Sequence, residues 1–171
     1  TVNNGSTVTM DVGFNKQGSG EAYWNLNTGT LILNENSTGK IVRTINSGTA
    51  RAAALNAFGT HGSHFDIGTN ATVEIENTNI DGRDRAFVLG TVRNLSGDNV
   101  WQDGFRIGNT TTAVIDVAAG SSLTINNGDT LTRWPNPNEA FTKTGDGTFV
   151  IANPMNLDGV IDINEGTVLL N

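Results

Sequence analysis

The sequence predicts an all-β chain wound into a right-handed parallel β-helix (β-solenoid) of about eight to nine coils, each of roughly 20 residues. Three observations carry that expectation. Glycines recur at 29, 48, 68, 90, 108, 128, 147 and 166, at spacings of 19, 20, 22, 18, 20, 19 and 19 residues. Thr follows directly at positions 30, 49, 69, 91, 148 and 167, so the period has chemical content beyond glycine abundance. Short apolar runs of period two flank the glycines, each too short to bury a face without a neighbouring copy.

In chain order, the pattern opens at Tyr23-Trp24-Asn25-Leu26-Asn27-Thr28-Gly29-Thr30-Leu31-Ile32-Leu33-Asn34 and is repeated without a gap in the closing Gly159–Asn171. Between them lie Ile41–Ile45, Phe65–Ile67, Ala71–Ile75, Phe87–Leu89, Phe105–Ile107, Ala113–Val117, Leu123–Ile125 and Phe149–Ile151. Each is bounded by Gly, Asn, Asp or Ser, as strands are. Ala50–Phe58 has helical composition, but nine residues make a marginal helix, and its place in the repeat favours a strand layer of small residues. Trp134-Pro135-Asn136-Pro137-Asn138 reads as a loop, because two prolines remove ladder donors. Turn signals every 8–12 residues would also suit an antiparallel β-sandwich, the competing architecture. The near-constant period favours the solenoid over residues 1–171, taken as a single domain.

Stacked copies predict columns of like residues. Asn27, Asn46, Asn126 and Asn164, with Asp66 in the equivalent place, are expected to form a side-chain ladder at a turn. Leu26, Ile45, Phe65, Ile125 and Ile163, one position earlier, are expected in the core.

The net charge of −7 argues against nucleic acid or an anionic membrane as a partner. Charged residues make up only 16% of the chain, while β-branched residues recur in runs, which indicates order. Cysteine is absent, which excludes disulfides and thiolate chemistry. No apolar run reaches the roughly 18 residues of a membrane span, and no direct membrane insertion is expected. Thr1 is not followed by a signal-peptide pattern, and both ends fall in strand-like sequence, as in a fragment or one unit of a larger assembly.

Few residues suggest chemistry. His61, His64 and Asp66 are candidate zinc ligands, but their spacing is not that of a helical pair, and the glycines around them read as an exposed turn. Arg83, Asp84 and Arg85, with Arg93, Asp98, Asp103 and Arg106, mix acids with arginines, a pattern of cross-coil ion pairs rather than of six to eight oxygens around calcium, with Arg83, Asp84 and Arg85 as candidate ligand contacts in the alternative. Trp101 and Trp134 lie near expected loops and are candidate stacking platforms for sugars. No G-x-S-x-G nucleophile and no phosphate-cradling P-loop occurs. No cofactor and no enzymatic activity are expected.

Phe141-Thr142-Lys143-Thr144-Gly145-Asp146-Gly147-Thr148-Phe149-Val150-Ile151, followed by Gly159–Leu170, resembles the autotransporter-associated β-strand repeat. Ala113–Asn127 looks like the coil that precedes it, and the match is good over roughly 60 residues. The resemblance implies a secreted β-helix of a bacterial surface protein, acting as stalk or adhesin. Its partner would be a protein or glycan on a host or neighbouring cell. Two other classes remain: a subunit stacked head to tail into a filament, and a pectate-lyase-like enzyme, where stacked Asp would hold calcium and Arg would act as base.

Overall fold

The computed structural model describes residues 2, 4–12, 23–37, 44–59, 64–80, 85–102, 105–108, 113–126, 140–153 and 159–171. They contain fourteen strands. The first seven are β1 (Thr7–Met10), β2 (Tyr23–Leu33), β3 (Thr44–Ala52), β4 (His64–Glu76), β5 (Arg85–Val88), β6 (Thr91–Ser96) and β7 (Asp98–Gln102). They are followed by β8 (Phe105–Ile107), β9 (Val114–Val117), β10 (Ser122–Asn126), β11 (Phe141–Thr144), β12 (Thr148–Ile151), β13 (Ile161–Ile163) and β14 (Thr167–Leu170). No helix occurs among the described residues.

Every ladder between these strands is parallel, which rules out the antiparallel sandwich. The chain is a β-solenoid with three walls. The first is built from the N-terminal parts of β2, β3 and β4, then β5 and β8. The second is the long column β1-β2-β3-β4-β6-β9-β11-β13. The third is the separate sheet β7-β10-β12-β14. The expected eight to nine equal coils become eight rungs on the second wall and about five turns in which the first wall is paired too.

Register explains why these sequences stack. On the first wall, Trp24, Ile45, Ile67, Val88 and Ile107 form one column. On the second, the column is Val8, Leu31, Ala50, Val73, Val92, Ile115, Lys143 and Ile163. The third stacks Trp101, Ile125, Ile151 and Leu170. Alternate residues along each strand point inward, so period two in the sequence becomes a continuous apolar interior along the axis. Aromatic rings fill its widest part: Phe65 stacks on Phe58 and on Trp101, at centroid distances of 5.0 and 6.1 Å, and Phe105 meets Trp101 edge-on at 5.2 Å.

The glycine period covers two different corners. Gly48 turns the chain from the first wall to the second with φ +79°, and Thr30 pairs with Thr49 on leaving that corner. Gly97, Gly120, Gly145 and Gly166, all with φ between 71° and 82°, turn it from the second wall to the third, where Thr148 pairs with Thr167. The Gly-Thr mark therefore belongs to two phases of the coil. Ala50 and Ala52 are strand residues with no exposed surface, and Ala54–Gly59 is a turn closed by the Gly59 amide donating to the Asn56 carbonyl at 2.8 Å. The Ala-rich stretch is thus the small-residue layer, not a helix. Trp134–Asn138 and Ile41–Arg43 lie outside the described residues.

Leu26, Ile45, Phe65 and Ile125 are buried, whereas Ile163 is 53% exposed. Ile163 has its column neighbour Lys143 on one side only, so half of its burial is missing. Deleting buried methylenes costs about 2–5 kcal/mol where the site cannot collapse. Ile115→Ala, mid-column and fully buried, is expected to fall in that range in urea unfolding, and Ile163→Ala in the same column to cost under about 1 kcal/mol. Equal losses at the two positions would contradict the stacking.

Candidate functional site

The residues expected to carry chemistry do not converge. His64 lies in β4 rather than in an exposed turn, and His61 lies outside the described residues. Asp66, two residues further along β4, is half-buried. Arg85 sits opposite His64 in the register, while Arg83 and Asp84 lie outside the described residues. Among the described residues no three His, Asp or Glu side chains come together as metal ligands would.

Trp101 is the clearest correction: at 2% exposure it is a core residue, stacked over Ile125 and between Phe65 and Phe105, with no face open to a sugar. Its neighbours Asp98, Asn99 and Gln102 look like a polar loop but form β7 with it. Trp134 lies outside the described residues.

Nor is there a single Asn ladder. Asn27, in the left-handed region at φ 53°, and Asn46 occupy the first corner, where the Asn46 amide donates to the Asn25 side-chain oxygen at 2.7 Å. Asp66 instead pairs in register with Thr44 and Phe87 on the first wall. Asn126 ends β10, accepting from the Asn153 amide at 2.8 Å. Asn164 follows β13, its backbone amide donating to the Lys143 carbonyl at 3.0 Å. Adjacent-coil amide contacts do form, but between residues the glycine period does not align.

Polar structure concentrates in two places. The first is an outward column of the second wall: Arg51, Glu74, Arg93 and Asp116 occupy consecutive rungs. Arg51 Nε donates to Glu74 Oε2 at 2.8 Å, Arg93 Nη1 to Glu74 Oε1 at 3.3 Å, and Arg93 Nε to Asp116 Oδ2 at 2.7 Å. The hydrogen bond to Asp116 raises the Arg93 pKa against desolvation by burial, and the charges of Asp116 and Glu74 add to the rise. The cross-coil ion pairing expected from mixed acids and arginines holds for Arg93, with Arg51, Glu74 and Asp116 as the partners the sequence did not single out.

The second is the corner between the second and third walls, which turns polar inside. Asn94 replaces an apolar residue in the column Ile75–Asn94–Val117 and has no exposed surface. Its amide nitrogen lies 3.1 Å from the Gly97 carbonyl, the Ser121 hydroxyl and the Ser122 carbonyl, and its oxygen accepts from Asn99 at 2.6 Å. In a later coil Lys143, in the neighbouring inward column with Val92 and Ile115, is also fully buried. Its ammonium donates to the carbonyls of Thr144 at 2.6 Å, Gly145 at 2.7 Å and Glu165, in the next coil, at 3.4 Å. Glu165 answers with its carboxylate, which accepts the Gly145 amide at 2.7 Å. Gly145 is required there: its φ is +73°, and a Cβ would lie 2.3 Å from the Val117 carbonyl oxygen. The K-x-G spacing is thus a latch in which a lysine on an inward strand position supplies donors to the carbonyls of the turn two residues on.

Burial pushes the Lys143 ammonium below its ordinary pKa, opposed by Asp116, Glu165 and Asp146. These arrangements can hold coils together. None presents a nucleophile, a general base in a cleft or a convergent ligand set among the described residues. No family model matches the chain, and comparison with curated proteins and with solved structures gives no match either.

Removing the latch strands buried carbonyls. Lys143→Ala is expected to lower unfolding free energy by about 2–4 kcal/mol. Because the folded-state pKa is depressed, the unfolded chain binds the proton more tightly, so stability from this group rises with pH through the window just below 10.5 and is lost as pH falls through the folded value. Lys143→Met, which keeps the stem without the charge, is expected to remove that alkaline rise in paired urea titrations. An identical pH profile in the variant would contradict the assignment.

Proposed function

We propose that this chain is a β-solenoid segment of an extracellular bacterial surface protein, a stiff stalk that carries a ligand-contacting surface away from the cell. The observation that supports it best is the uninterrupted second wall, eight rungs of parallel strands with hydrogen bonds running along the axis. At about 4.8 Å per rung, seven intervals give a rod segment of roughly 34 Å. Backbone bonds along the long direction and a side-chain-filled interior suit a spacer better than a catalyst. The K-x-G-x-G-T segment, in which the family likeness lies, forms the latch between coils; its role here is scaffold chemistry. Contact with a protein or glycan on a host or neighbouring cell belongs to the same reading.

The head-to-tail filament has one support: the last coil exposes Val160, Ile163, Leu169 and Leu170.

The stalk reading is tested by length. With the chain spliced between an outer-membrane anchor and a gold-labelled tag on bacterial cells, electron microscopy is expected to place the tag about 34 Å farther out than in the chain-free fusion. A shift below about 15 Å, or one near the roughly 65–80 Å that a flexible spacer of 171 residues would span, would overturn it.

A further inference from the structure

The outward face of the second wall carries a charge order that is complementary to itself when reversed. Reading along the column, Thr9 and Ile32 are neutral, then come Arg51, Glu74, Arg93 and Asp116, then neutral Thr144. The order +, −, +, − becomes −, +, −, + when the column is inverted. Beside it runs a second outward column, mostly of threonines: Thr7, Thr30, Thr49, Thr72 and Thr91, then Val114, Thr142 and, on the last rung, Asp162. Together the two columns make a regular strip of short Thr side chains edged by charges.

We infer that this wall is a lateral interface for a second copy of the same chain, packed antiparallel about a two-fold axis lying along the strand direction, between the β4 and β6 rungs. Such an axis keeps each column facing its own counterpart and reverses the coil order, so Arg51 lies opposite the partner copy's Asp116, and the rung of Glu74, whose side chain is 8% exposed between Arg51 and Arg93, lies opposite its Arg93. Ile32 then lies opposite Thr144, so in this column no charge meets an uncharged residue, while in the neighbouring column Asp162 lies opposite Thr7. A parallel arrangement with the axis along the solenoid would set Arg51 against Arg51 and Glu74 against Glu74, with like charges opposed. Within each chain the ion pairs are already formed, at 2.7 to 3.3 Å along the column, so the carboxylates and guanidiniums are held in place before contact. The side chains of Arg51 and Arg93 keep 28% and 42% of their surface open, leaving donors free to bridge to a facing copy.

The area is sufficient for a weak, specific dimer. Eight rungs at about 4.8 Å by a strand width of roughly 15 Å give on the order of 500–600 Å² per copy, about 1,000–1,200 Å² in total. The contact is isologous, so it closes at two copies and does not propagate into fibres. It stands on the fold alone and does not depend on where the chain works.

The chain has no cysteine, which makes the orientation directly readable. In the antiparallel pair Thr30 faces Thr142 of the other copy across about 10 Å, while Thr30 and Thr30 are five rungs, about 24 Å, apart along the axis. Thr30→Cys mixed with Thr142→Cys, treated with a short bis-maleimide, is expected to give a cross-linked heterodimer at least tenfold in excess of the Thr30→Cys homodimer. Sedimentation of the native chain, which needs no variant, is expected to show a dimer that weakens tenfold or more when ionic strength is raised to about 1 M, where the screening length falls to about 3 Å. Preferential Thr30–Thr30 cross-linking, or a native chain that stays monomeric at the highest attainable concentration, would overturn the proposal.

Discussion

The constraint on which this molecule depends is parallel, in-register pairing along the solenoid axis. Once the backbone of each coil bonds to the coils above and below, a residue's neighbours are fixed at about 4.8 Å, and each inward column must tolerate whatever its members are. The consequence is visible in Ile45, Ile67, Val88 and Ile107, successive members of one column and all buried. Volume is balanced across walls rather than along them. Where the second wall narrows to Ala50 and Ala52, the turn that follows contributes Ala57 and Phe58 to the interior.

The same constraint explains why polar groups enter the interior at one corner. A sharp turn from the second wall to the third leaves carbonyls pointing inward that no strand neighbour can satisfy, and a buried unpaired carbonyl costs about 1–3 kcal/mol. Two solutions appear, two coils apart. Asn94 and Asn99 combine their amides with Ser121 to serve the Gly97, Ser96 and Ala118 carbonyls. Lys143 does the work alone in its coil, with three donors on a flexible stem and the Glu165 carboxylate returning the contact from the next turn. A buried lysine is costly when unpaired; here it is surrounded by oxygen atoms and by three carboxylates within electrostatic reach.

Much of this was legible from the residues. Period-two runs such as Ala71–Ile75 and Ala113–Val117 specify inward and outward sides without reference to any partner, and they were placed correctly. What could not be read was phase. A glycine followed by Thr suits any corner whose turn needs φ above zero and whose next residue starts a strand, so Gly48 and Gly166 look alike although they serve different corners. The Asn ladder failed for that reason: aligning on glycine put Asn27 and Asn164 in one column when they belong to two. Trp101 was misread because Asp98, Asn99 and Gln102 resemble a loop, and only the buried network around Asn94 makes a strand of them. The Arg51–Glu74–Arg93–Asp116 column was hidden because its members are 19 to 23 residues apart and only register brings them together. The K-x-G part of the K-x-G-x-G-T run has a physical reason in the latch that Lys143 forms with the turn at Gly145.

Distance along one outward column tests the stacking most directly. Thr49 and Asp162 occupy the same column of the second wall, five rungs apart. With a spin label on a cysteine at each position, and labelled chains diluted in unlabelled ones, pulsed electron spin resonance is expected to give a narrow distribution centred near 24 Å, five intervals of about 4.8 Å. A distribution centred more than about 10 Å away, or one as broad as an unordered chain gives, would contradict the in-register solenoid on which every other inference here rests.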